Sequence, residues 1–297
     1  MSLLFSQEIK YAIDQELALA KDSVQIISAY CKLKALVRMN DIINKSVSSK
    51  KLMVRFRADD IVKGSTDFEI LDFCMKNGWE VYIRFDLHAK TYIVDDKRGI
   101  VGSSNATLSG LGISKSANYE MGSLVEIEKQ DILKIEKMYM DAIKVDEKLI
   151  CRLKEELSIN KNEFIDGSFH WSSSITKLFH PQINTLFSYE LPENKSISEG
   201  YVSFLDVPKG VDKSQLKELF RWCNAYLWLL QVLKENQGCL YFGALTEKLH
   251  NALVEDPKPY RREVKELLSN LLSWVEELEM EEIVIDRPNY SQRIRIL

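Results

Sequence analysis

The first half of the chain switches repeatedly between two hydrophobic periods. Residues 7–21 place Ile9, Ala12, Ile13, Leu17 and Ala20 at helical spacing, and the run SVQIISAY at 23–30 then reads as a strand. The same change recurs: a helix over 33–47, the strand KLMVRF at 51–56, a helix over 66–77 with Asp67 early in it and Gly78 as its stop, and the strand EVYIRF at 80–85. Residues 90–94, with Tyr92, Ile93 and Val94, read as a further short strand, Ile100-Val101 as a returning one, and 121–127 as another apolar segment. Residues 130–157 carry strong helical periodicity and close a first domain, 1–157. Strands alternating with helices predict an α/β sheet with helices on its faces.

The pattern blurs over a connecting region, 158–210. It holds the aromatic-rich stretch FHWSSSITKLFHPQINTLFSY, a loop at Leu191-Pro192-Glu193-Asn194-Lys195 and a strand expected over 200–207. Order returns in a mostly helical third region, 211–297. Asp212 can cap a helix running to about residue 235, with Leu216, Leu219, Phe220, Leu227, Leu230 and Leu233 as its stripe and Gly238 as its end. A very short strand at 239–242, a helix over 244–254, a break at Pro257 and Pro259, and a long helix over 260–279 follow. Ile283-Val284-Ile285, the turn Asp286-Arg287-Pro288-Asn289 and residues 293–297 read as a hairpin.

Composition narrows the class without naming it. Apolar residues make up 45% and charged residues 28% of 297, as in an ordinary globular chain. No apolar run approaches the ~20 residues of a membrane span, so no membrane association is expected. The opening MSLLFSQEIK lacks the basic and long apolar segments of a secretory leader. The five cysteines (Cys31, Cys74, Cys151, Cys223, Cys239) form no C-x2-C pair, which points to free thiols in a reducing cytoplasm rather than disulfides or zinc. A net charge of −4 argues against a protein basic all over, but leaves room for a local basic cleft.

The chemistry concentrates in FDLHAKTYIVDDKRGIVGSSN, residues 85–105. His88 and Lys90, two apart on extended chain, share one face. An imidazole beside an ammonium is costly in a core and suited to a phosphate, which the lysine holds as a point charge while the histidine attacks phosphorus or moves a proton. Gly102-Ser103-Ser104-Asn105 puts small and neutral-donor residues at a strand end, where backbone and side chains can approach an anion. Glu120, opening the next apolar segment, is placed in sequence to be the carboxylate that fixes the tautomer of an active-site histidine. Strand ends also draw attention to Tyr30, Arg57 and Asp59. Tyr30 and Arg57 either rim the cleft and touch DNA, or are packing and a surface charge; the sequence leaves both open.

The spacing H-x-K-x4-D-x6-G-S-x-N, from His88 through Asp95 to Asn105, resembles the signature of the phospholipase D superfamily. Its continuation through Asn105-Ala106-Thr107, Gly110-Leu111 and Asn118-Tyr119-Glu120 resembles the bacterial endonuclease branch, which includes phospholipase-D-like restriction enzymes. The resemblance covers about residues 1–150. It implies a phospholipase-D-like sheet flanked by helices, with His88, Lys90, Ser103, Asn105 and Glu120 as site residues and Asp95 and Gly102 as structural members of the motif. It also implies a phosphohistidine intermediate and two H-x-K motifs per active site. The chain supplies one, so a homodimer is expected, with a two-fold axis bringing both His88 side chains to one phosphate. Lysines then neutralise the charge, and no metal or other cofactor is called for.

The last region, in element order alone, resembles a winged helix. In its DNA-reading form the third helix would offer Tyr260, Arg261, Arg262 and Lys265, with Arg287 and Arg293 on the wing. Glu276, Glu277, Glu279, Glu281 and Glu282 at the far end would repel phosphates, and a domain binding a protein partner is the equal alternative. The leading expectation is a metal-independent DNA endonuclease, in restriction or phage defence. The alternatives are a phospholipid phosphodiesterase or transferase, for which no membrane anchor is visible, and a non-catalytic DNA-binding assembly protein.

Overall fold

The computed structural model describes residues 3–160, 171–179, 181–255, 257–288 and 290–297. His170, His180 and Asn289 lie outside the described residues. The chain forms two compact units, Met1–Phe179 and His180–Leu297.

In the first unit the elements run β1 (Leu3–Phe5), α1 (Gln7–Leu19), β2 (Ser23–Ser28), α2 (Leu33–Ile42), β3 (Ser49–Val54), α3 (Ala58–Val62), α4 (Ile70–Lys76), β4 (Glu80–Ile83), β5 (Lys90–Val94), β6 (Arg98–Gly102), β7 (Met121–Glu126), α5 (Lys129–Met140), β8 (Ile143–Lys144), α6 (Glu147–Asn160) and α7 (Ser173–Thr176). Eight strands form one sheet in the order β1-β7-β6-β5-β2-β3-β4-β8. β2, β3 and β4 are parallel, while β5, β6 and β7 run antiparallel to their neighbours. β2 sits near the middle, and from Val24 to Ser28 it is buried on both faces, which is why its sequence is a continuous run rather than an alternation.

This topology gathers the chemistry at one end. Parallel β2 and β3 finish at Ser28 and Val54. β5 is antiparallel to β2, so its beginning at Lys90 faces Ser28. β6 returns from the far end and finishes at Gly102, where β7 begins opposite it at Gly122. Residues that follow β2, β3 and β6 therefore meet residues that precede β5 and β7.

Several expected elements are corrected. The helix foreseen over 130–157 is two helices, because Ile143 and Lys144 leave it to pair with Ile83 and Tyr82 of β4. The helix foreseen over 66–77 starts later, at Ile70. Asp67 instead serves a neighbour: its carboxylate accepts the Leu33 N–H at the start of α2 at 2.8 Å, and pairs with Lys32. β1, too short to show a period, pairs with β7.

The second unit contains α8 (Ile197–Phe204), α9 (Lys213–Arg221), α10 (Asn224–Glu235), β9 (Cys239–Tyr241), α11 (Phe242–Ala252), α12 (Arg261–Glu277), β10 (Ile283–Asp286) and β11 (Arg293–Ile296). Its strands form a small antiparallel sheet, β10-β11-β9. The strand expected over 200–207 is the helix α8. β-prone Tyr201, Val202 and Phe204 are overridden by packing: Phe204 meets Trp274 edge-on at 5.0 Å, and Gly200 lies against that indole. Asp212 does cap a helix, accepting the Gln215 N–H at 3.0 Å, but the helix breaks at Trp222-Cys223 into α9 and α10. The glutamates after α12 are neutralised internally. Glu279 pairs with Lys213 at 2.5 Å, Glu281 with Lys217 at 3.2 Å, and Glu282 with Arg221, all from one face of α9.

Candidate functional site

His88 lies in the extended stretch just before β5 and is exposed. Its approach is fixed by the turn before it, where Arg84 grips both carboxylate oxygens of Asp86 at 3.0 and 2.8 Å and buried Leu87 anchors the chain. The stretch stays in the sheet, since the Ala29 N–H donates to the Ala89 carbonyl at 3.0 Å. Lys90 Nζ donates to the His88 carbonyl at 2.6 Å. Burial, followed by the charges of Lys90, Arg55 and Arg57, holds the imidazole below its ordinary value. Lys90 is likewise lowered, by burial and then by Arg55, while Glu120 acts in the opposite sense.

Asn105 is placed by backbone partners. Its Oδ1 accepts the Tyr30 N–H at 3.1 Å and lies 3.5 Å from Ser28 Oγ. The Nδ2 end has no partner among the described residues. Behind the loop, Gly110 packs so closely that a Cβ there would sit 2.5 Å from the Asn105 carbonyl oxygen. Gly102 is similar: a Cβ would lie 2.5 Å from Met121 O and 2.7 Å from the Gly122 Cα, so cross-strand approach is what demands glycine.

Ser103 Oγ donates to Glu120 Oε2 and accepts the Met121 N–H at 3.1 Å. Glu120, 6% exposed, accepts from Asn118 Nδ2 at 3.0 Å on its other oxygen. Within one chain, then, Glu120 is bonded to Ser103 and Asn118 rather than to His88. The sheet order explains this: β6 stands between β7 and β5, and two strand spacings amount to about 10 Å.

Asp95 stands at the opposite end of β5, away from the site. Its carboxylate accepts the backbone N–H groups of Lys21 at 3.1 Å, Asp22 at 2.7 Å and Ser23 at 3.0 Å, tying the β5–β6 turn to the start of β2. Tyr30 is at the site, but its hydroxyl accepts from Arg55 Nη2 at 2.7 Å, and the guanidinium lies 4.8 Å from its ring centre. Arg57 donates through Nε to the Phe85 carbonyl at 2.6 Å. In the second unit Arg261, Arg262 and Lys265 are exposed on the first turns of α12, as is Arg287 after β10. Arg293 bonds Asp286 through both Nε and Nη2, at 2.8 and 2.7 Å, across the β10–β11 pair.

Sequence reading missed Arg55, Asp60 and Ser28. Arg55 lies between the apolar run Leu52–Val54 and Phe56, one residue past the end of β3, and the strand-end argument that drew attention to Arg57 and Asp59 applies to it equally. The partner it takes is Asp60, one place further on; Asp59 pairs with Lys63 at 3.1 Å. Ser28 gave no signal, being one serine in a buried strand.

Residues 13–142 match a family model described as cardiolipin synthase, PLD-like domain. This stretch, a little under half of the chain, is similar to the phospholipase-D-like domains that the family model describes. No curated protein matches the chain. Among solved structures, the chain is similar to Nuc from Salmonella typhimurium, a phospholipase D family member, at 16% identity and a TM-score of 0.38, over 48% of this chain and 96% of that one. NucT from Helicobacter pylori is similar at 15% identity and a TM-score of 0.38, over 48% and 98%. Phosphatidylserine synthase from Haemophilus influenzae Rd KW20 is similar at 13% identity and a TM-score of 0.38, over 55% and 46%.

Proposed function

We propose that the chain is a phosphodiesterase of the nuclease kind, cutting DNA as a homodimer through a phosphohistidine. The observation that carries this is the exposed imidazole of His88 beside Lys90, with the amide end of Asn105 unpartnered among the described residues. A neutral imidazole has the lone pair that attacks phosphorus. Lys90 and Asn105 supply donors where negative charge builds on the non-bridging oxygens.

One chain holds one such histidine. Attack on a diester also needs an acid for the leaving oxygen; the second His88 across a two-fold axis, in its protonated form, gives that proton and, now neutral, takes one from the water that releases the intermediate. Glu120 reaches an imidazole across that axis, since in its own chain β6 intervenes. Ser103 holds the carboxylate in place. We read the second unit, mostly helical with a small antiparallel sheet, as a winged helix, with Arg261, Arg262, Lys265 and Arg287 as the cations for a second contact with DNA. Defence against foreign DNA is the role this combination fits.

The test is plasmid cleavage with and without EDTA, run beside a sizing column. Expected are a dimer, nicking or cutting that survives EDTA, and its loss in His88→Ala. Release of headgroups from phospholipid vesicles without nicking would move the substrate to lipids. DNA binding without turnover, unchanged by His88→Ala, would reduce the protein to a binding module. A strict monomer that still cuts would remove the shared site.

A further inference from the structure

Arg55 follows β3 at the rim of the same site. Its Nε and Nη2 donate to the two carboxylate oxygens of Asp60 at 2.8 and 2.6 Å, and Nη2 also donates to the Tyr30 hydroxyl at 2.7 Å. The side chains of Arg55 and Asp60 are only 15% and 4% exposed. Asp60 is itself fixed, because its carbonyl accepts the N–H groups of Ser65 at 2.8 Å and Thr66 at 3.1 Å in the turn after α3. One edge of the guanidinium is thus fully used and its plane is clamped against an aromatic ring.

The other nitrogen, Nη1, has no partner among the described residues. It is not buried either, so this nitrogen reaches solvent. Asp60 cancels the charge of Arg55 at long range, which leaves directional hydrogen bonding as what this nitrogen offers. A planar donor pair held immobile matches a phosphate oxygen, and little rotamer freedom is lost when it binds. The nearness of Arg55 to the chemistry is set by Tyr30, whose hydroxyl Arg55 bonds and whose backbone N–H donates to Asn105 Oδ1 at 3.1 Å, and the charge of Arg55 acts on both His88 and Lys90.

We propose that Arg55 Nη1 holds the phosphate next to the one His88 attacks. This rests on the phosphodiesterase reading above and sharpens its substrate: a diester with another diester one link away on each side is a polynucleotide backbone, whereas a glycerophospholipid with one headgroup phosphate offers no second phosphate at that distance. Tyr30 becomes the clamp for Arg55 rather than a contact to the ligand.

The experiment uses the full chain and two fluorescent oligodeoxynucleotides whose linkages are uncharged methylphosphonates. One carries a single natural diester and the other carries two adjacent ones. Hydrolysis is measured as kcat/KM, and binding as Kd by anisotropy. Two diesters give a statistical factor of two; a charge-assisted contact to the neighbour raises the wild-type preference to about tenfold or more. Arg55→Lys keeps a cation beside Asp60 but loses the fork, and Arg55→Gln loses both; each returns the ratio towards two. A wild-type ratio of two overturns the proposal without any variant, as does a ratio that Arg55→Lys leaves intact while its circular dichroism is that of wild type. If neither oligonucleotide is hydrolysed, the phosphodiesterase reading fails by itself, and the ratio of the two Kd values still decides the role of Arg55.

Discussion

Ser28 accepts the backbone N–H of Ala106 through its hydroxyl at 2.9 Å, joining positions 78 apart in sequence. The same hydroxyl donates to the Tyr30 carbonyl at 2.7 Å. One buried serine thereby fastens the end of β2 to the loop that carries Ser103 and Asn105, directly beneath the register position of Lys90.

Ser28→Ala leaves the Ala106 N–H buried and unpaired. The expected cost is about 1–3 kcal/mol of stability, read from urea unfolding, together with a fall in kcat as Asn105 loses its register with Tyr30. Unchanged turnover in a destabilised protein would show that the loop holds itself.

Gly110→Ala drives a Cβ into the Asn105 carbonyl, 2.5 Å away. Asn105 must shift, and loss of one donor to the developing charge lowers kcat on the order of 100-fold. Plasmid cleavage compared at matched folded fraction checks this.

The pH profile tests the neutral histidine. Burial comes first among the causes that hold His88 below the usual imidazole value, and Lys90, Arg55 and Arg57 add to it. The attacking form is neutral, so the acid limb of kcat/KM falls below about pH 6.5. Arg57→Gln removes one cation and moves that limb upward. A limb that stays put in the variant would mean another group sets it.

Asp95 makes a prediction about stability alone. Burial works to raise its pKa, but the N–H groups of Ser23, Asp22 and Lys21 outweigh it and hold the carboxyl below its ordinary value. A carboxyl depressed in the folded state contributes stability above its unfolded pKa of about 3.9, and that contribution is lost as pH falls through the folded value. Asp95→Ala therefore costs on the order of 2 kcal/mol at pH 7. Its Tm also falls less than that of wild type between about pH 4 and pH 2.

The order of strands and helices in the first half was legible because hydrophobic period is a local property of the chain, and the motif from His88 to Asn105 was legible because its spacing is covalent. Where local preference and packing disagreed, packing won: α8 was written as a strand in Tyr201, Val202 and Phe204, and Trp274 made it a helix. The break at Ile143-Lys144 was hidden because the signal that interrupts the helix is a vacant edge on β4, far away in sequence.

What the sequence determined by itself is the chemical inventory and the faces on which it stands, a histidine and a lysine two residues apart among residues suited to an anion. Only the tertiary structure decided which groups meet. The antiparallel return of β5 set Lys90 against Ser28, the interposed β6 kept Glu120 from its own chain's His88, and the turn after β3 gave Arg55 to Asp60. Those choices are made by hydrogen-bond register between distant segments, and a register is a relation between strands that neither strand's own residues spell out.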